Sequence, residues 1–246
     1  MRNIIISGIN GSMGQYVYEA ADEEGLNVIC GVDKKQNSNA LCPVYKSFDN
    51  VKDKADAVID FSSPSMLGDL LSFCITNRTP LVIATTGFSE EDEKIIAESS
   101  ETIPVFKTSN TSLAVNVLIG VAKEISERLS DYDIEIIERH HRLKKDSPSG
   151  TAETILNELK KTKNNCSVVY GRRGFTPRKE NEIGVHSVRG GSVAGEHEIC
   201  FYGDYDSIKI THTAQNKKIF AKGAIDAAKF IADKKCGLYG MKDLKI

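Results

Sequence analysis

The sequence predicts an α/β protein with two parts, an N-terminal doubly wound parallel sheet and a C-terminal α+β domain with an open mixed sheet. Two observations predict the first part: short β-branched runs that alternate with helical patterns, and a glycine-rich turn after the first run. The second part is predicted because strand-like runs with little helix between them follow residue 112. A chain of 246 residues is long enough for two modest domains.

The N-terminal segment predicts a strand followed by a nucleotide-binding turn. Residues 4–6 are isoleucines, as expected for a strand buried on both faces of a parallel sheet. Glycines occupy the first, fourth and seventh places of residues 8–14. In such a turn the first permits the bend, the second lets the backbone approach a pyrophosphate, and the third lets helix and strand pack closely. A helix over about residues 12–21 would direct its first N–H groups at the phosphates.

Asp33 follows the second predicted strand, residues 28–32, and lies 19 positions after Gly14. This is close to the place where an acidic residue meets the adenosine ribose in a Rossmann-like domain. The carboxylate favours NADH, because it would bond the ribose hydroxyls and repel a 2′-phosphate. Lys34 and Lys35 follow directly and could neutralise that phosphate, so we predict use of both NADH and NADPH. The alternative is a structural strand–helix–strand turn with Asp33 merely on the surface.

The alternation of strands and helices continues through the first part of the chain. Further buried strands are predicted over residues 57–62, 81–84 and 105–106, with helices over 65–74 and 90–99 between them. The loops after these strands should line a crevice at the carboxyl ends of the strands. Two of these loops carry small hydroxyl and amide residues that suit contacts with ribose and nicotinamide: Thr85, Thr86, Thr108, Ser109, Asn110, Thr111 and Ser112. Ordinary turn and helix-cap chemistry is an equally good explanation of them.

The second part predicts helices and strands in a different order. Residues 116–129 place apolar side chains on one helical face, and another helix begins near Thr151. Strand-like runs occur at residues 134–136, 168–170, 183–188, 199–202 and 208–211. A last helix over about residues 222–234 is long enough to return to the first domain. We therefore predict a nucleotide-binding domain over residues 1–112, completed by 218–246, and a substrate-binding and oligomerisation domain over 113–217.

The densest chemistry lies in a short segment where His140, His141 and Lys144 fall within five positions. Histidine is the side chain most easily poised near neutral pH, and adjacent residues of an extended chain point in opposite directions, so each histidine has a separate task. Lys144 offers a positive charge for a carboxylate, or a proton. A turn and a predicted helix start follow, which form a natural binding site for a carboxylate; they comprise Ser149, Gly150 and Thr151. The alternative is a solvated basic loop.

Composition argues against several classes of function. The net charge of −2 provides no basic field for nucleic acid, and no apolar run has the length of a membrane span. The first apolar run is too short for a signal peptide. Six scattered cysteines without a Cys-x-x-Cys pair indicate reduced thiols and an intracellular protein, and the absence of ligand-like spacing argues against a zinc site, so no metal is expected. His186, His197 and His212 are expected to be structural or interfacial. A turn is expected at residues 189–191, and the alternative is a loop that reaches an anion.

Residues 140–152 closely resemble the signature of the 4-hydroxy-tetrahydrodipicolinate reductase family, long called dihydrodipicolinate reductases, of the diaminopimelate route to lysine. Five other segments fit the family in the right order: residues 8–14, 84–88, 109–112, 195–198 and 210–212. The resemblance implies NAD(P)H-dependent reduction of 4-hydroxy-tetrahydrodipicolinate, a cyclic imine with two carboxylates, to tetrahydrodipicolinate. It also implies a cytoplasmic homotetramer built through sheets of the second domain.

The resemblance further implies roles for single residues. His140 matches the proposed proton donor or acceptor of the family, and Lys144 matches a proposed proton donor. The substrate dicarboxylate would bind at His141, Ser149, Gly150 and Thr151. The pyridine nucleotide would bind at Gly8, Ile9, Asn10, Gly11, Ser12, Met13, Asp33, Lys34, Ala84, Thr85, Thr86, Thr108, Ser109, Asn110 and Thr111.

Three departures from the family pattern lie among the nucleotide residues. Ser12 stands where many members have arginine, which removes one cationic contact to an NADPH phosphate. Ala84 stands where glycine is common, and Thr111 where an aromatic residue is common. These changes bear on nucleotide preference and leave the segment from His140 to Thr151 untouched.

Two other classes of function are weighed against this one. A nucleotide sensor without catalysis would bind NADH without turnover, and the intact His140, Lys144 and helix-start residues argue against it. An aldehyde dehydrogenase that uses a cysteine nucleophile would need a cysteine and a histidine beside the nucleotide crevice, and the sequence places no such pair there.

Overall fold

The computed structural model describes residues 2–35 and 41–244, and the chain divides into two compact units. Unit 1 comprises Met1–Ser112 and Lys217–Ile246, and unit 2 comprises Leu113–Asn216. In the described ranges, no helix combines the length and the apolar character that a membrane span requires.

Unit 1 is built on a seven-stranded sheet. Its strands are β1 (Asn3–Ser7), β2 (Asn27–Val32), β3 (Val44–Tyr45), β4 (Ala57–Asp60), β5 (Leu81–Ile83), β6 (Pro104–Lys107) and β12 (Gly237–Tyr239). They lie in the order β12-β6-β5-β4-β1-β2-β3, and every neighbouring pair is parallel. All three isoleucines of β1 are at most 1% exposed, as a strand covered on both faces requires.

The helices of unit 1 cover the sheet. They are α1 (Ser12–Glu23), α2 (Leu67–Asn77), α3 (Glu90–Ser99) and α6 (Lys218–Ile231), with 3₁₀ turns at Phe48–Asn50, Pro64–Met66 and Met241–Asp243. Helix α6 packs against α1 and against β4, β5 and β6. The predicted doubly wound, Rossmann-like sheet is confirmed. Helix α2 begins later than predicted because the chain first forms a 3₁₀ turn at Pro64, whose ring suits the start of a helix but not its interior.

Unit 2 is built on a five-stranded mixed sheet, as predicted. Its strands are β7 (Asp133–His140), β8 (Ser167–Tyr170), β9 (Glu182–Arg189), β10 (Gly195–Tyr202) and β11 (Ser207–Ala214), in the order β11-β10-β7-β9-β8. Strands β7, β8 and β9 are parallel to one another, whereas β10 runs antiparallel to β7 and β11. Helices α4 (Leu113–Arg128) and α5 (Gly150–Lys160) supply side chains to the core of this unit.

The alternation of strand β7 decides which of its side chains enter the core. Ile134 and Ile136 are fully buried and pack with side chains from α4 and α5. Side chains two apart on a strand share a face. The two later even-numbered residues, Glu138 and His140, therefore lie on the same buried face, at the carboxyl end of the strand.

Candidate active site

The glycine-rich turn of unit 1 brings backbone segments so close that two positions have no space for a Cβ atom. Gly8 has a φ of 78°, and a Cβ there would lie 2.5 Å from the carbonyl oxygen of Phe61. A Cβ at Gly14, in the first turn of α1, would lie 2.2 Å from the carbonyl oxygen of Gly8. Glycine is therefore required at both positions by the packing of β1, α1 and the segment after β4.

A cavity of about 320 Å³ opens at the carboxyl ends of β1, β2 and β4. Its lining includes predicted nucleotide residues, namely Gly8, Asn10, Gly11, Asp33 and Lys34. It also includes residues that the sequence did not single out, namely Phe61, Ser62, Ser63 and Met66. A concave space at the carboxyl edge of a parallel sheet, beside a tight glycine turn and a helix N-terminus, is where such folds bind nucleotides.

Asp33 is half-buried at the rim of this cavity. Its two carboxylate oxygens accept hydrogen bonds from the backbone N–H groups of Asn10 (3.0 Å) and Lys35 (2.9 Å). Each oxygen has a further lone pair, so the carboxylate can still accept ribose hydroxyls. The exposed ammonium of Lys34 lies 3.4 Å from Ser65 Oγ.

The other predicted nucleotide residues are distributed differently. Ile9 is buried and its side chain fills the space above Gly31, so it belongs to the core. Residues 84–86 and 108–111 follow β5 and β6 at the same edge of the sheet but do not line the cavity. Thr108 Oγ1 donates to Asn110 O (2.8 Å), and Thr111 Oγ1 donates to Phe220 O of α6 (2.7 Å). These hydroxyl groups therefore make structural hydrogen bonds to the backbone, in addition to any contact with a ligand.

A buried carboxyl group, Asp60, also lies in this region. It was not predicted from the sequence as a site residue. It ends β4 and is 1% exposed. Burial raises the pKa of this carboxyl, although Ser62 Oγ donates a hydrogen bond to it (2.6 Å) and opposes the rise. Ser62 lines the cavity, so Asp60 holds part of the cavity wall in place.

In unit 2, a buried ion pair lies at the carboxyl end of β7. Glu138 has no exposed surface, and its carboxylate oxygens accept two hydrogen bonds from the Arg189 guanidinium, each of 2.7 Å. Arg189 is the last residue of β9, the strand that lies parallel to β7. The residue before it, Val188, pairs in register with Arg139 of β7. Burial by itself would raise the pKa of Glu138, but the hydrogen bonds, above all those from Arg189, lower it to about 2. Glu138 is therefore a carboxylate at neutral pH.

His140 contacts this carboxylate directly. Its Nδ1 lies 2.6 Å from Glu138 Oε2. Its Nε2 faces Gly195, where a Cβ would lie only 3.0 Å away. Burial lowers the pKa of His140, as do the positive charges of Lys144 and Arg189, while Glu138 opposes the change. A buried imidazole, 9% exposed, with one nitrogen bonded to a carboxylate and the other beside a glycine can exchange a proton at that second nitrogen.

A second histidine, His197 on β10, lies next to the first. It is 4% exposed, and its ring centroid is 5.2 Å from that of His140, with the rings nearly perpendicular. Its Nε2 is 2.9 Å from Ser149 Oγ, which also accepts a hydrogen bond from Ala152 N and so caps α5. Burial, and then the neighbouring His140, lower the pKa of His197 to about 3, so it is neutral.

The loop between β7 and α5 carries the remaining predicted site residues. Lys144 Nζ pairs with Asp146 Oδ2 (2.8 Å), and Arg189 Nη2 donates to the carbonyl oxygen of Asp146 (2.7 Å). His141 is half-buried, and its carbonyl oxygen accepts a turn hydrogen bond from Lys144 N (3.1 Å). Gly150 begins α5 and Thr151 follows it, so both lie where helix N–H groups favour an anion.

Three residues of this cluster were not predicted as site residues. Glu138 had no assigned role, Arg189 was expected in a turn, and His197 was expected to be structural or interfacial. The sequence did contain one signal, since Glu138 and His140 continue the apolar period-two pattern of Ile134 and Ile136. A charged residue at a core position of a strand requires a buried partner, but the pattern does not identify that partner.

Comparisons with known proteins agree on one family along the whole chain. A family model described as dihydrodipicolinate reductase, N-terminus, matches residues 2–111, and the corresponding C-terminus model matches residues 114–244. A 4-hydroxy-tetrahydrodipicolinate reductase from Caldanaerobacter subterraneus subsp. tengcongensis is 46% identical over 99% of this chain and 98% of its own length. One from Clostridium tetani is 41% identical over 98% of this chain and 96% of its own.

A solved structure has the same fold. The dipicolinate-bound dihydrodipicolinate reductase from Paenisporosarcina sp. TG-14 matches with a TM-score of 0.82 and 23% identity, over 100% of both chains.

Proposed function

The chain belongs to the dihydrodipicolinate reductase family, and we propose that it catalyses NAD(P)H-dependent reduction of 4-hydroxy-tetrahydrodipicolinate in the diaminopimelate route of lysine biosynthesis. The reaction consumes the substrate, one reduced pyridine nucleotide and one proton, and it yields tetrahydrodipicolinate, the oxidised nucleotide and water. The observation that carries the proposal is the arrangement of unit 2, where a carboxylate-bonded histidine is tied through Glu138 to the N-terminus of α5.

We propose that unit 1 holds the nucleotide in the cavity beside the glycine-rich turn. The fit rests on the missing Cβ atoms at Gly8 and Gly14, which allow the turn to form, and on the carboxylate of Asp33 at the cavity rim. When bound, the pyridine nucleotide supplies a hydride. The backbone of residues 8–13 would bind its phosphates, and Asp33 would bind the adenosine ribose.

We propose that unit 2 holds the substrate by its carboxylates. The N–H groups at Gly150 and Thr151 would bind one carboxylate, aided by Ser149, while His141 and Lys144 supply further polar contacts. Fixing the ring in one orientation can supply several kcal/mol of barrier reduction. These contacts explain why a helix N-terminus, a lysine and a histidine are needed within one short segment.

We propose that His140 supplies the proton. Loss of the hydroxyl as water leaves a conjugated ring, and hydride addition at ring carbon four moves an electron pair into an enamine. A proton from His140 Nε2 then completes tetrahydrodipicolinate, and His140 takes a proton back from solvent. Lys144 is the second candidate donor, and the division of work between the two is tested by the variants described below.

The experiment that tests the function is reduction of the substrate generated in place by the preceding synthase. Purified protein is mixed with NADH or NADPH, and loss of nicotinamide absorbance is followed. Oxidation that depends on the substrate is expected with both nucleotides. If folded protein binds NADH but oxidises neither nucleotide, the nucleotide-sensor alternative replaces the reductase.

We expect the kcat/KM values for the two nucleotides to differ by less than about a hundredfold. That factor corresponds to a difference of roughly 2.7 kcal/mol in activation free energy. Asp33 opposes a 2′-phosphate, whereas Lys34, with Ser65 near its ammonium, attracts one. Lys34→Ala should therefore lower kcat/KM for NADPH more than for NADH. The control is Lys46→Ala, a lysine of unit 1 outside the cavity lining, which should leave the ratio unchanged. An unchanged ratio in Lys34→Ala would show that Lys34 does not contact the phosphate.

Lys144→Ala should lower kcat/KM for the dicarboxylate substrate by about ten- to a hundredfold, since a hydrogen bond to a charged group contributes about 1.5–3 kcal/mol. Both kcat and KM should change if Lys144 donates a proton as well as binding a carboxylate. Its neighbour Lys145, which is exposed, provides the matched control as Lys145→Ala. Equal kcat and KM values for the two variants would show that Lys144 is not part of the substrate site.

The location and assembly of the protein are also proposals. The family resemblance implies a cytoplasmic homotetramer assembled through the sheets of unit 2. Sedimentation equilibrium of the purified chain measures the assembly directly, and a monomer at micromolar concentration would contradict it.

A further inference from the structure

We propose that Glu138 is the positioning residue for His140: its carboxylate, held by Arg189, sets which imidazole nitrogen carries the hydrogen and keeps the start of α5 in register with that histidine. The inference rests on the proposed role of His140 as the proton donor. It adds two residues, Glu138 and Arg189, whose effect is exerted through other groups.

Both carboxylate oxygens of Glu138 are fully engaged in hydrogen bonds. Oε2 of Glu138 contacts His140 Nδ1 at 2.6 Å and accepts from Arg189 Nη1 at 2.7 Å. Oε1 accepts from Arg189 Nη2 at 2.7 Å and from Ser149 N at 3.2 Å. An ionised carboxylate only accepts, so His140 Nδ1 must be the donor, and the neutral ring carries its free lone pair on Nε2.

The other ring nitrogen of His140 lies beside a residue without a side chain. His140 Nε2 faces Gly195 at the start of β10, and a methyl group there would be 3.0 Å from it. The glycine therefore places no side chain of residue 195 against the nitrogen that the Glu138 hydrogen bond leaves available. The two observations are independent, and both identify Nε2 as the atom that exchanges a proton.

The ion pair of Glu138 and Arg189 connects the separate parts of the site. Glu138 accepts from Ser149 N, the residue that caps α5, and Arg189 donates to the carbonyl oxygen of Asp146, whose side chain pairs with Lys144. The proton donor, the lysine loop and the helix start are therefore held by the same buried pair. A displacement of Glu138 would move all three at once.

The titratable groups around His140 lie in four directions. Glu138 lies on the same strand, Lys144 in the following loop, Arg189 on β9 and His197 on β10. Glu138 is the negatively charged group among these. Burial and the positive neighbours lower the pKa of His140, whereas Glu138 raises it. Removing its charge should therefore lower the pKa of His140 further below the ordinary value.

The test is Glu138→Gln, compared with Glu135→Gln on the same strand. Glu135 has partners of the same kinds as Glu138, since it contacts His186 Nε2 at 2.7 Å and pairs with Arg178. It lies on the opposite face of β7. In Glu138→Gln, kcat should fall by at least about tenfold, and by up to about 10⁴ if the ring takes the wrong tautomer, as when the orienting aspartate of a serine-protease triad is replaced. Glu135→Gln should retain the wild-type kcat.

The pH profile separates positioning from a structural role. If His140 acts as an acid, kcat/KM falls as pH rises through a pKa below 6.5. In Glu138→Gln this descending limb should move to lower pH, because the charge that favours the protonated ring is gone. In Glu138→Asp the charge remains, so the limb should stay near its wild-type position while the shorter side chain lowers kcat. If Glu138→Gln folds and shows the wild-type kcat and an unchanged descending limb of the pH profile, the proposal is overturned. If Glu138→Gln does not fold, a wild-type kcat in Glu138→Asp overturns the proposal.

A readout without turnover keeps this inference distinct from the proposed function. Nitrogen-15 NMR of the histidine rings reports the tautomer and the pKa of His140 in the free protein. The wild type and Glu135→Gln should show hydrogen on Nδ1, and Glu138→Gln should show a lower pKa. The same tautomer and pKa in all three proteins overturn the inference. If the wild type does not reduce the substrate, the proposed function fails, whereas the NMR comparison still decides whether Glu138 sets the state of His140.

Discussion

His140→Ala should fold normally and lose about 10²–10⁴ of its turnover, the usual contribution of general acid–base catalysis. The loss follows from geometry, because His140 Nε2 is the available nitrogen of a ring whose Nδ1 is bonded to Glu138. Glu138 keeps its pair with Arg189 in the variant, so the buried carboxylate is not left without a partner. The measurement is kcat with saturating nucleotide, together with circular dichroism to verify folding.

The matched control for His140→Ala is His186→Ala. His186 also contacts a glutamate of β7, since its Nε2 lies 2.7 Å from Glu135 Oε2, but on the opposite face of the strand. Its loss should reduce kcat by less than about threefold, as expected for a change away from the site, where surface substitutions alter free energy by at most about 0.5 kcal/mol. Wild-type turnover in folded His140→Ala would rule out this histidine as the acid and leave Lys144 as the donor.

Gly14→Ala should weaken binding of NADH by more than tenfold and destabilise the protein by about 1–3 kcal/mol, the usual cost of overpacking. A Cβ at this position would lie 2.2 Å from Gly8 O and 2.5 Å from Ile9 Cα. Both are backbone atoms, so α1 has to move away from the turn that is proposed to bind the phosphates. Titration of nucleotide fluorescence measures the affinity, and thermal unfolding measures the stability.

Gly68→Ala is the control for this substitution. Gly68 is an exposed glycine of α2, and a Cβ there meets no atom within 4 Å. Alanine at such a site should stabilise the protein by about 0.4–1 kcal/mol through the unfolded state and leave nucleotide affinity unchanged. If Gly14→Ala bound NADH as tightly as Gly68→Ala, the turn would not be the phosphate site.

The main strands of unit 1 could be predicted because buried parallel strands are short, continuous apolar runs. Strands β3 and β12 could not, since they contain two and three residues and, unlike Leu81–Ile83, neither is a continuous aliphatic run. They form because a neighbouring strand offers unpaired backbone groups. The mixed character of the second sheet was expected, but its strand order depends on pairings between distant segments.

The candidate site divides in the same way. His140, Lys144 and residues 149–151 lie within one short segment, so their grouping and the family resemblance were visible in the sequence, and the family is confirmed. Glu138 and Arg189 are 51 positions apart, and their contact exists because β7 and β9 are adjacent parallel strands. The local period-two pattern of β7 places Glu138 in the core, but it does not identify the partner across the sheet.

The division of the chain into units sets the order in which they can be completed during synthesis. Unit 2 is one uninterrupted stretch, whereas unit 1 takes α6 and the edge strand β12 from the segment after it. A ribosome therefore delivers all of unit 2 while the first sheet still lacks its last strand and the helix that covers β4, β5 and β6. The unit whose first strands emerge earliest is therefore completed later than unit 2, because its sheet stays partly uncovered until α6 and β12 have been synthesised.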